Sequence, residues 1–364
     1  MDQSSFLNLI SIRRNQVPLD QELDDLELFQ KHVSIRFSYL LPSSDPSSTT
    51  TTPDNQPPPG PPPPFLSIPW LRDLLDTFLC CEAEFKAVLI LDRDPSQFSR
   101  PPLDRLIPDL LDRTLKSLDL LTSVSLALDH LSSISLLLAR ISLSSLSPSP
   151  LTSGHVRRSL RSLSSLLSSL KSSSPKSRSW SAAKQIQSMS ANLVAPRGTD
   201  SSGPAQPVYI MSTVLVFTMW ALAAAVPCQD RVGLPAHVPA PAGRGPGGCW
   251  AQPIAGLVEK IGEEWKKKEK VGGAGLLEEV VRMEKAAQAL AEMAEGFVYP
   301  MEEERAAEVA ATVEEMAEVC RRMEEGLGPL KKQVREVFHR MVRSRAEILD
   351  VLDQVTKSSV PVPY

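Results

Sequence analysis

Aromatic side chains make up only 5% of the 364 residues, and nowhere do β-branched residues alternate with polar ones. Both scarcities exclude a β-rich fold, because a half-buried strand needs period-two patterning. Catalytic signatures are missing too: there is no GxSxG elbow, phosphate-binding loop, kinase set or HExxH helix. His32, His130, His155, His237 and His339 are dispersed, and none has a second ligand at metal spacing. Five cysteines, Cys80, Cys81, Cys228, Cys249 and Cys320, form no CxxC pair. Their odd number and irregular spacing describe reduced thiols, not a disulfide framework. Asp2 stands where a secretory signal would carry positive charge and where myristoylation needs glycine, so neither start is expected. A net charge of -4 gives no general attraction to nucleic acid. No enzyme, metal, cofactor, small-molecule substrate or nucleic-acid partner is expected.

What the sequence has is helical periodicity, at 42% hydrophobic content. Leu23, Leu26, Phe29, Val33, Phe37 and Leu40 recur at steps of three and four, which predicts a helix over 19–41 within an N-terminal unit 1–41. Of the 32 prolines, 17 are concentrated between Pro42 and Pro69 and between Pro227 and Pro253. The first cluster makes 42–65 an extended polyproline linker. The second makes 227–253 a Pro/Gly-rich loop, in which Pro246 and the lack of a preceding strand argue against a nucleotide-binding glycine motif.

A second helix starts near Ser67 with a stripe of Trp70, Leu71, Leu74, Leu75, Phe78, Phe85, Val88 and Leu89. A third is predicted over 103–146, where many serines weaken the helix signal. A short amphipathic helix spans Val156 to Leu170 with Arg157, Arg158 and Arg161 on its outer face. The Ser-rich linker 172–179 and a helix from Ser181 complete a first bundle region, 66–198. The expected fold is all-α: a multi-helix bundle of long helices with Pro-rich and Ser-rich disordered linkers and one strongly apolar helix.

That apolar helix is 208–226, nineteen residues without a charge between Pro207 and Pro227. A bilayer core needs roughly 20 apolar residues, so Val208 to Val226 qualifies as a membrane span, with Tyr209 and Trp220 as amphipathic anchors. The alternative is a helix buried on all sides of a bundle, which has the same composition. Ahead of it, residues 151–200 hold eight cations against Asp200 alone, a bias that suits either an anionic leaflet or a solvated helix face. Cys228, beside the run, is a palmitoylation candidate or an inert thiol. The expected location is membrane-associated, single-pass if the segment spans and otherwise cytoplasmic.

Helices resume at Ile254 to Lys270 and Leu276 to Val298, within a C-terminal region 254–357. The strongest periodicity follows it. Val313, Met316, Met323, Leu327, Leu330, Val334, Val337 and Met341 belong to a heptad seam that continues across Gly326, Gly328 and Pro329. This seam predicts either a coiled coil with a partner protein or an intramolecular bundle seam, with a kink or short break at the proline. The charged runs Glu263 to Lys270 and Arg335 to Arg345 read as solvated helix faces.

Several strings are distinctive in order and spacing: SIRRNQV at 11–17, ELDDLELFQKHV at 22–33, LSIPWLRDLLDTFLCCEAEFKAVL at 66–89 and PPLDRLIPDLLDRTLKSLDL at 101–120. SWSAAKQIQSMSANLVAPRG at 179–198 and QVREVFHRMVRSRAEILDVLDQ at 333–354 complete them. Together with the apolar run they resemble the plant ROH family, relatives of the BYPASS proteins, along most of the chain. The resemblance implies a non-enzymatic helical protein that binds the Exo-seventy subunit of the exocyst and influences where secretory vesicles tether. A BYPASS-like helical regulator of signalling or development, without exocyst binding, is the alternative it leaves. The chain departs most from its relatives in 143–177 and after Pro227.

Overall fold

A helix apolar around its whole circumference is satisfied only by cover on every side, and the bundle is built around one. The computed structural model describes residues 19–42, 63–90, 95–147, 151–171, 181–196, 203–228, 238, 248–271, 275–296 and 302–358. Residues 43–62 of the linker 42–65, the linker 172–179 and most of the loop 227–253 lie outside them. In chain order the helices are α1 (Leu19–Tyr39), α2 (Ile68–Ile90), α3 (Leu103–His130), α4 (Leu136–Leu146), α5 (Ser153–Lys171) and α6 (Ala182–Ser190). They continue as α7 (Ala205–Ala225), α8 (Ala251–Val271), α9 (Glu278–Glu295) and α10 (Glu303–Ser358). No strand occurs among the described residues, so the fold is all-α as expected.

Helix α7 is the axis. It packs against α2, α3, α6 and α8, and α1 reaches it through Phe37, whose ring meets Phe217 edge-on at 5.7 Å. Tyr209 meets Trp250 in the same way at 5.8 Å. Each fully buried aliphatic or aromatic side chain contributes about 1.5–3 kcal/mol, and α7 presents them all round. Thr213 settles its hydroxyl by donating to the Tyr209 carbonyl at 2.9 Å.

Of the two readings of 208–226, the fold takes the helix buried on all sides of a bundle. Val208, Tyr209, Trp220 and Val226 are all buried within the protein, and Trp220 is in the core rather than at an interface. Helices that precede α7 in the chain and α8, which follows it, pack on the same helix. A bilayer between them would forbid that. Two stretches, 103–146 and 205–225, are long and apolar enough to cross a membrane by length and composition. The most apolar window is 44% buried in the first and 100% buried in the second.

Helices α3 and α4 form one rod, because a π turn at Leu131–Ser135 joins them without a break. The serines that weaken the helix signal here are satisfied within it. Ser132 and Ser133 donate to the Asp129 carbonyl, and Ser145 donates to that of Ile141. Buried Arg113 reaches from α3 to the end of α6, where its guanidinium donates to the carbonyls of Met189 (2.9 Å) and Ala191 (3.1 Å) and caps that helix.

The seam also stays within the chain. Helix α10 runs unbroken through Pro329 for 56 residues and packs against α2, α3, α4 and α9. Met316, Met323, Leu327, Leu330, Val334, Val337 and Met341 are buried there, and Val313 packs against their margin. The coiled-coil reading is therefore replaced by a bundle seam. Gly326 permits it: a Cβ there would stand 2.8 Å from Ile68 Cγ2, at the start of α2.

One core residue opposes stability. Glu82 of α2 is 4% exposed, neither carboxylate oxygen has a hydrogen-bond partner, and Arg340 comes no closer than 3.8 Å. Burial outweighs the neighbouring Ser344, Lys86 and Arg340 and pushes its pKa above 4.5. The native state therefore holds this proton to higher pH than the unfolded chain, so stability falls as pH rises from 4.5 through the raised value. Glu82→Met, which also fills the cavity of about 30 Å³ beside it, is expected to gain about 1–3 kcal/mol at pH 7. Urea titrations across pH check this: the advantage must shrink in acid.

Candidate partner-binding groove

Three separated segments meet at the C-terminal end of α7. The last carbonyls of that helix, Ala224 and Ala225, accept hydrogen bonds from the backbone N–H groups of Leu276 and Leu277, each at 3.0 Å. The Glu278 N–H donates to the Leu66 carbonyl at 3.0 Å. The Glu279 carboxylate accepts the Ile68 N–H at 3.1 Å on each oxygen, so an acid from α9 caps the start of α2 across 211 positions of sequence. Burial pushes the Glu279 pKa up, against the pull of the Ile68 hydrogen bond. These bonds fix the angle at which α9 leaves α7 and bring Phe65 and Leu66 beside it.

The result is a groove of about 650 Å³ between α8, α9 and the lead-in to α2. Phe65, Leu66, Leu276 and Val281 form its apolar lining, while Glu264, Lys267, Lys268, Glu278, Arg282, Glu284 and Lys285 carry the charge. Phe65 is steadied by Trp70, ring to ring at 5.1 Å, and Trp70 Nε1 donates to the Leu40 carbonyl at 2.9 Å. Lys268 and Glu284 form a largely buried ion pair at 2.8 Å. Arg282 bridges Glu278 and Glu315, at 3.3 and 2.7 Å. Lys285 is exposed on the outer edge. The volume is that of a typical binding cleft, and the mixture of apolar surface and charged rim is that of a non-obligate protein interface.

The residues singled out from the sequence lie elsewhere. Val208, Tyr209, Trp220 and Val226 are in the core, and the α10 seam is covered by its own chain. The groove was missed because its residues come from three segments with no common periodicity. A local signal existed in Gly275 followed by Leu276, Leu277 and two acids, a stop-and-start pattern for α9. The run at 263–270 is not a wholly solvated face, since Lys268 is held inside by Glu284. Likewise Arg345 turns inward and donates to the Leu111 carbonyl at 2.5 Å.

No cluster of three His, Cys, Asp or Glu side chains suited to a metal occurs among the described residues. Cys228 is buried, and desolvation pushes its thiol up to about 12, as it does for Cys81. The inert-thiol reading of Cys228 therefore stands over palmitoylation.

The geometry defines a class: an all-α bundle around a buried apolar helix, with a charged-rimmed groove on its flank. The chain belongs to the family described as Protein ROH1-like, whose profile matches residues 1–176 and 168–352. Protein ROH1A of Arabidopsis thaliana is 47% identical, over 99% of this chain and 98% of that relative. Protein ROH1D of the same plant is 34% identical over 92% and 90%. No solved structure matches the chain.

Proposed function

We propose that this protein is a non-enzymatic adaptor of exocytosis, which binds an exocyst subunit at a membrane in plant cells. The groove carries this reading. Apart from Lys285, its charged groups are held in ion pairs around an apolar lining instead of converging on one reacting point, which suits the side chains of a docking polypeptide better than a substrate. The partner's identity rests on the family resemblance and not on the geometry. Affinity purification of the tagged full chain from plant extract is expected to enrich the Exo-seventy subunit. Val281→Glu, which places charge on the apolar lining, is expected to lower recovery about tenfold, the equivalent of about 1.4 kcal/mol. Wild-type protein that enriches no exocyst subunit would favour the BYPASS-like regulator instead.

A further inference from the structure

The rod made by α3 and α4 carries a row of aliphatic side chains that none of the other described residues covers. Leu126, Ile134, Leu137 and Ile141 are 53%, 45%, 55% and 37% exposed. The last three follow at steps of three and four, the spacing of one helix face. The step of eight from Leu126 to Ile134 would leave that face in a regular helix of 3.6 residues per turn. The π turn at Leu131–Ser135 overlaps the end of that step and widens the turn there, which brings eight residues closer to two full turns and Ile134 back toward the row. Exposed apolar rows of this kind mark a docking surface.

Charge identifies what docks. Between Asp129 and Asp200 the sequence contains no acidic residue, while it has Arg140, Arg157, Arg158, Arg161, Lys171, Lys176, Arg178, Lys184 and Arg197. Helix α5 lies beside α4, held by Ser169, whose hydroxyl meets His130 Nε2 at 2.8 Å and the Ser135 hydroxyl at 3.3 Å. Arg157, Arg158 and Arg161 project from its exposed face with no carboxylate partner among the described residues. Toward α10, Glu324 pairs with Arg140 at 2.5 Å and Asp129 pairs with Lys331. Aliphatic side chains beside unpaired arginines fit a bilayer, where the former enter the acyl boundary and the latter take headgroup phosphates.

We propose that the α4–α5 face is a peripheral docking surface for an anionic lipid bilayer. This deepens the membrane part of the proposed function and replaces insertion of α7 as the means of attachment. The purified full chain is expected to cosediment with phosphatidylcholine vesicles that contain phosphatidylserine, and not with phosphatidylcholine alone. Replacing Arg157, Arg158 and Arg161 together by alanine should weaken binding on the order of a hundredfold, about fivefold per arginine near an anionic surface. The loss should be largest at low salt. A second variant, Ile134→Ser with Leu137→Ser and Ile141→Ser, should also weaken binding while leaving the circular dichroism spectrum unchanged. Wild-type protein that ignores anionic vesicles, or two variants that bind as well as wild type, would overturn the proposal. So would light scattering that shows the serine variant splitting a dimer, since the row would then be a contact between copies of this chain. The assay contains no exocyst subunit, so a failed purification of that partner leaves this result standing, and the reverse also holds.

Discussion

Gly275→Ala is expected to destabilise the protein by about 3–5 kcal/mol, the sum of two separate penalties. Gly275 has φ +148, a backbone region that side-chain-bearing residues rarely adopt. A Cβ at this position would also meet the Ala225 carbonyl oxygen at 2.5 Å and the Pro227 ring at 3.3 Å. Neither contact can relax by a rotamer change, since one partner is backbone and the other is a ring. Any shift that relieves them pulls Leu276 and Leu277 off the carbonyls of Ala224 and Ala225, leaving the end of α7 uncapped. Helix α9 would swing with them, so the groove should lose shape along with stability. Thermal unfolding checks the first effect and partner recovery the second. Gly328→Ala is the control: nothing lies within 4 Å of its added Cβ, and alanine is favoured in a helix by about 0.8–1 kcal/mol. Equal stability for the two variants would remove the role given to the 275–279 junction.

Individual helices could be read from the sequence because each has one apolar stripe at helical spacing. Leu26, Phe29, Val33 and Phe37 on α1 with Leu40 just past its end, and Trp70, Leu71, Leu74, Leu75, Phe78, Phe85 and Leu89 on α2, are buried as their periodicity requires. The α10 seam was equally legible, but its partner was not. Heptad spacing states that a stripe must be covered and says nothing about which chain supplies the cover. The same limit applies to 208–226: bilayer and bundle interior ask for the same side chains, and the distinction rests on contacts with residues far away in sequence. Glu279 shows the cost of that distance most directly. It caps a helix that begins 211 positions earlier, so no local window around either residue contains the interaction.

The two helical stretches that satisfy the composition of a membrane span should respond oppositely to a buried-type charge. Val214 is fully buried near the middle of α7, in a helix packed against α2 and α3. A lysine there must either remain charged without a partner or give up its proton, and both options cost several kcal/mol. Val214→Lys is therefore expected to lose more than about 4 kcal/mol, which places it among the most damaging single changes a bundle can take. Leu126→Lys falls on the outward side of the α3–α4 rod, where the ammonium stays in water. Its effect should lie within about 0.5 kcal/mol. Far-UV circular dichroism melts of the purified chains distinguish the two sites without reference to any partner. If Val214→Lys melted like wild type, α7 could not be the enclosed axis of this bundle. The assignment of attachment to the surface of α4 and α5, and not to the chain's most apolar helix, would then lose its structural basis.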